Sequence, residues 1–134
     1  MTKAAPIKHV DGKKLRDAAL AYPKTIEDFP WGDRAFKIAG KKVFLFMGAS
    51  DGGGFSCSMK LPYRHEEALK LKNTQPTPYG LGKAGWVSFT FTAKSKVPMA
   101  KMLDWLDESW RAVAPAKLSA THPPPSVPKR RKAS

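Results

Sequence analysis

The strongest constraint on this chain is a change in the period of its apolar residues near position 34. Before it they recur at helical spacing. After it they alternate. Phe55-Ser56-Cys57-Ser58-Met59-Lys60-Leu61 puts Phe55, Cys57, Met59 and Leu61 on one side and Ser56, Ser58 and Lys60 on the other, the pattern of a half-buried strand. Residues 34–38 and 42–47 read as two further strands joined by a hairpin connection at Ala39-Gly40-Lys41. Val43-Phe44-Leu45-Phe46-Met47 is apolar on both faces, which places it centrally in a sheet. Residues 86–92 alternate again, with Val87, Phe89 and Phe91 facing one way and Trp86, Ser88 and Thr90 the other.

Helical spacing frames these strands. Leu15, Ala18, Ala19 and Tyr22 recur behind Asp11, a capping residue, until Pro23 ends the helix. A short helix is expected over 64–72, with Glu66 and Glu67 in its first turn. A longer one is expected over 96–114, burying Met99, Met102, Leu103, Leu106, Trp110 and Val113. Residues 24–33 and 73–85 read as Pro- and Gly-containing connections. The sum is an α+β fold, an antiparallel sheet of about four strands with helices packed on one face. The length suits a single domain, expected over residues 11–118. Residues 1–10 form a flexible basic arm, and 119–134, rich in Pro, Ser and basic residues, a disordered tail.

Charge narrows the function. There are 24 Lys+Arg against 11 Asp+Glu, a net of +13. Residues 1–14 hold four lysines against one aspartate, and 119–134 hold Lys129, Arg130, Arg131 and Lys132 and no acid. Over half of the excess therefore sits in the two ends. A soluble surface needs far less imbalance, so a polyanionic partner is expected, nucleic acid before an anionic membrane. No apolar run is long enough to span a bilayer, and the first residues lack the apolar stretch of a secretory signal. Cys57 is the sole cysteine, which suits a reducing, cytoplasmic location.

Catalytic candidates are weak. Cys57 falls on an inward strand face and reads as an inert thiol. His9, His65 and His122 share no metal-ligand spacing. Asp104, Asp107 and Glu108 read as a solvated helix face. Gly80-Leu81-Gly82-Lys83-Ala84-Gly85 matches G-x-G-x-x-G literally. The dinucleotide fingerprint needs a strand before it and a helix after it; here Pro76 and Pro78 precede and a strand follows. No enzyme activity, cofactor or metal is expected.

An ordered series of motifs runs through the chain: Tyr22-Pro23, Pro30-Trp31-Gly32, Ala35-Phe36-Lys37-Ile38, Gly40-Lys41 and Phe44. Then come Ser58-Met59-Lys60-Leu61, Glu66-Glu67-Ala68-Leu69, Tyr79, Gly82, Trp86-Val87 and Ser109-Trp110. This order resembles the MmcQ/YjbR family, small bacterial proteins described as DNA-binding. The resemblance implies a CyaY-like, double-wing fold and a DNA partner. The frataxin-like relatives of that fold suggest an iron site on the first helix, where this chain instead carries Lys13, Lys14 and Arg16, which repel a divalent cation.

The expected contacts are Lys41 and Lys42 on one wing, Lys83 on the other, and Lys37, Lys60 and Trp86 on the open sheet face. Lysines beside an exposed aromatic suit phosphate contact and base stacking. The tail cluster Lys129, Arg130, Arg131 and Lys132 would add contact without sequence choice. A monomeric, possible nucleoid-associated binder of nucleic acid is thus expected. The alternative is a domain whose cleft takes an anionic small molecule or a protein partner, with the basic surface serving solubility.

Overall fold

A computed structural model describes residues 6–29, 34–78 and 80–121. The alternating segments form the sheet as expected: β2 (Arg34–Ile38), β3 (Lys42–Ala49), β4 (Phe55–Lys60) and β6 (Trp86–Phe91). Two short strands extend it at the edges, β1 (Thr25–Asp28) beside β2 and β5 (Thr74–Pro76) beside β6. The sheet is therefore six-stranded, in the order β1-β2-β3-β4-β6-β5, with every neighbouring pair antiparallel. The expectation of about four strands is corrected. β1 and β5 fall in segments read as connections, because three or four half-exposed residues carry no readable period. Pro76 is tolerated in β5 because an edge strand can spare an N–H.

Three helices accompany the sheet: α1 (Val10–Leu20), the single turn α2 (His65–Ala68) and α3 (Met99–Val113); α4 (Ala116–Ala120) follows. α2 is shorter than the expected 64–72. α1 and α3 touch each other, and α3 packs on β3 and β4. The core between them holds Leu15, Phe36, Leu45, Met59, Phe89 and Trp110, all fully buried. A bulge in β3 enlarges it. Phe36 pairs with Leu45 but Lys37 with Val43, so Phe44 is an extra residue. The bulge lets both Phe44 and Leu45 enter the core.

The buried face of α3 differs from the expected stripe. Trp105 is buried and stacks on Phe89 with ring centroids 5.6 Å apart, while Leu103 faces out. Ser109 is also fully buried. Its hydroxyl donates to the Phe44 carbonyl at 2.5 Å and accepts from the Lys60 N–H at 2.8 Å.

Within the segment expected as a flexible arm, residues 1–10, the described part is docked on the body. Residues 1–5 lie outside the described residues, but Ile7 is buried. His9, not Asp11, is the N-cap of α1: its Nδ1 accepts from the Asp11 N–H at 3.1 Å. Its ring meets Phe55 edge-on at 5.1 Å. Gly12 makes this docking possible, since a Cβ there would sit 2.8 Å from the Ile7 Cγ2. Ile7→Ala should therefore lower stability by about 2 kcal/mol in denaturant unfolding; an unchanged midpoint would return residue 7 to the arm.

At the opposite edge, Glu27 of β1 accepts from Arg16 of α1 at 2.7 and 2.9 Å and from Arg34 of β2 at 2.9 Å. Burial pushes the Glu27 carboxyl up, but the two guanidinium groups outweigh it and hold it below the usual carboxylate range. A depressed folded value means the contribution is complete above the ordinary carboxylate pKa and is lost as pH falls through the folded one. Arg34 is almost entirely buried, so Glu27→Gln weakens a charge pair inside the fold and takes the anionic partner from Arg16 as well. The variant should lose about 3 kcal/mol at neutral pH, and unfolding curves recorded below pH 4 should show the difference shrinking.

Candidate functional site

The strand register brings the expected lysines to one end of the sheet. β2 ends at Ile38, opposite Lys42, where β3 begins. β4 ends at Lys60, opposite Trp86, where β6 begins. The Ala39–Lys41 turn, Lys60 and the 3-10 turn Leu81–Ala84 that carries Lys83 therefore share that end. Lys41, Lys42 and Lys83 are exposed and Lys60 is half-buried. Among the described residues none of the four has an ion-pair partner.

Stiff turns hold them. Ala39 and Gly40 both have positive φ, 53° and 72°, as tight hairpin turns demand. Gly85 has φ +93°, and a Cβ there would lie 3.0 Å from the Leu61 carbonyl oxygen. Its own carbonyl accepts from the Leu61 N–H at 2.8 Å, which ties the Lys83 turn to the end of β4. The G-x-G-x-x-G run is thus a 3-10 turn leading into a strand, without a helix behind it.

Lys24 joins the cluster. It immediately precedes β1, has φ 60°, and its carbonyl accepts from the Ala39 N–H at 2.7 Å. Nothing in the sequence marked it, because β1 itself was not legible.

Two expected contacts are placed differently. Lys37 lies on the open face but is paired to Asp28 at 2.7 Å. That bond, with the Phe29 N–H, holds the Asp28 carboxyl below its usual range. Trp86 also faces away from the helices, yet it is only 7% exposed and packs on Phe46 with ring centroids 5.6 Å apart. It offers no free ring for a base to stack on. Between them a chain of hydroxyls closes on itself: Ser58 to Ser88 at 2.7 Å and Ser88 to Thr77 at 2.9 Å. The tail residues Lys129, Arg130, Arg131 and Lys132 lie outside the described residues.

The acids of α3 form structure that the sequence had not indicated. Asp107 is buried; it accepts from the Tyr22 hydroxyl at 2.8 Å and from Arg111 Nε at 2.8 Å. Burial and this bond push the Tyr22 phenol far above its usual pKa, so it remains a donor. Glu108 accepts from the Tyr63 and Arg64 N–H groups at 2.8 and 3.1 Å and from Arg64 Nε at 2.7 Å. The expected solvated acidic face is corrected at both positions. Only their i, i+4 and long-range partners, unreadable without the fold, distinguish them from surface acids.

Among the described residues no group of His, Cys, Asp and Glu could hold a metal ion, and no helix is long and apolar enough to cross a membrane.

These features define a small α+β domain: helices on one face of a six-stranded antiparallel sheet and unpaired lysines gathered at one sheet end. The chain belongs to the YjbR family, whose model matches residues 20–112. Its fold is similar to that of the crystal structure of Deinococcus radiodurans protein DR2400, which carries a DUF419 domain. The two share 22% sequence identity at a TM-score of 0.63, over 93% of this chain and 95% of that one. No curated protein matches the chain.

Cys57 is buried between β-strand neighbours, and burial pushes its thiol well above the ordinary value. It cannot supply a thiolate near neutral pH. Cys57→Ser should cost about 1–3 kcal/mol, and the native thiol should resist a bulky labelling reagent. Rapid labelling would show the strand to face outward.

Proposed function

We propose that this protein is a non-enzymatic nucleic-acid-binding protein whose partner is DNA, engaged through charge with little sequence selection. The observation that carries this is the convergence of Lys24, Lys41, Lys42, Lys60 and Lys83, from four separate segments, at one end of the sheet, with no acidic partner among the described residues. Solvated lysines have strong reason to be scattered. Gathered and unneutralised, they raise the local potential and favour a polyanion. The buried state of Trp86 removes stacking from the scheme, so phosphate contact remains. The basic tail adds affinity of the same kind.

The test separates body from tail. Removing Lys129, Arg130, Arg131 and Lys132 should weaken binding to all duplex sequences alike. The plot of log K against log salt should flatten by about 3–4 units if all four meet phosphates. In the tailless protein, Lys42→Glu, Lys60→Glu and Lys83→Glu together should abolish the residual binding while the unfolding curve is retained. A tailless body without measurable affinity at low salt would end the proposal and leave the family fold with a different ligand.

A further inference from the structure

A groove beside the lysine end shares only Lys60 with the lysine contacts above. It has a volume of about 670 Å³ and runs between the Pro62–Arg64 segment and the last turns of α3, reaching Arg111. That volume is typical of small-ligand sites.

Its chemistry is one-sided. The two carboxylates in its wall are already engaged. Glu108 accepts three hydrogen bonds and its side chain is 9% exposed. Asp107 accepts two and is 8% exposed. The cations in front of them are more open: Arg64 is 32% and Arg111 23% exposed. Arg64 spends Nε on Glu108 and one N–H of its second terminal nitrogen on the Asp104 carbonyl; its other terminal nitrogen has no partner among the described residues. The Lys60 ammonium has none either. The groove therefore presents hydrogen-bond donors and positive charge in front of carboxylates that are already bonded, which favours an anion with several oxygens.

A second feature selects more than an anion. Tyr63 stands at the groove rim with 88% of its surface exposed, the most exposed large apolar residue among those described. Its backbone is nonetheless fixed, because its N–H is bound by Glu108. A ring held on a rigid backbone, beside donors for an anion, is a stacking surface next to a phosphate site.

We propose that this groove binds a nucleoside monophosphate unit, with the phosphate on Arg64 and Lys60 and the base on Tyr63. The unit could arrive as a free nucleotide or as the phosphorylated end of a nucleic acid. The site shares Lys60 with the surface assigned above, but Lys42 and Lys83 line no part of it.

Titration of the full chain, followed by amide NMR, tests this with adenosine 5′-monophosphate, adenosine and inorganic phosphate. The monophosphate should shift the amides of Tyr63, Arg64 and residues 107–112, and bind at least tenfold more tightly than adenosine or phosphate alone. Tyr63→Ala, at an exposed position where folding is not at risk, should weaken it about tenfold; Lys60→Gln should weaken it while sparing any adenosine binding. Lys42→Glu with Lys83→Glu should leave it unchanged, so failure of the DNA surface is read separately. A short oligonucleotide with a 5′-phosphate should compete better than its 5′-hydroxyl form if the source is a nucleic-acid end, and equally if it is the free nucleotide. Absence of shifts at millimolar monophosphate overturns the site. Equal binding of inorganic phosphate, or an undiminished Tyr63→Ala, overturns the nucleotide assignment.

Discussion

The hydroxyl of Ser109 joins the three elements on which the lysine end of the sheet depends. It bonds the carbonyl of Phe44 in β3 and the N–H of Lys60 in β4 from the buried side of α3. The bulge at Phe44 interrupts the β2–β3 ladder, and Lys60 closes β4. Each of the two backbone groups would cost about 1–3 kcal/mol if buried without a partner. One small polar side chain satisfies both, and in doing so fixes the helix against the strand termini. Everything that follows in space is positioned from there: Trp110 under Tyr22 at 5.1 Å, Asp107 and Glu108 just before it in α3, and the lysine turns at the ends of the strands.

The two kinds of base are used differently. Each arginine among the described residues is committed to a carboxylate: Arg16 and Arg34 to Glu27, Arg64 to Glu108 and Arg111 to Asp107. The planar fork suits such partly buried pairing. The carboxylates of the interior are thereby consumed, and the lysines of the sheet end are left without one among the described residues. Net charge alone cannot distinguish this from a protein whose acids neutralise its lysines. Here the pairing leaves the positive potential of the lysine end uncancelled at short range, where screening by salt is weakest.

How much of this was legible depends on burial. β2, β3, β4 and β6 were readable because each has a core face, and alternation records it. β1 and β5 were not, because they owe their existence to ladder bonds with a neighbour rather than to a buried side. The stripe of α3 was read one position wrong at Leu103 because hydrophobicity ranks it with Trp105 and ahead of Ser109. The stacking of Trp105 on Phe89 and the two bonds of Ser109 set the helix rotation instead. Lysine positions were visible as charge, yet which of them stay free was not: Lys37 meets Asp28 only because β1 pairs with β2. The exposure expected of Trp86 was inferred from the parity of its strand, which was right about the face and silent about Phe46.

The closure of the open sheet face has a consequence for where contacts can form. With Trp86 against Phe46, the hydroxyls of Ser58, Ser88 and Thr77 bonded to one another, and Lys37 neutralised, that face has little left to offer a ligand. The strand ends do. Their turns are held by residues at positive φ, by the Lys24–Ala39 bond and by the Gly85–Leu61 bond, so the lysines there have fixed backbones even though their side chains are free. A fixed array spends little entropy when it meets a regular array of phosphates. Geometry, where this protein has any to impose, must come from the sheet end.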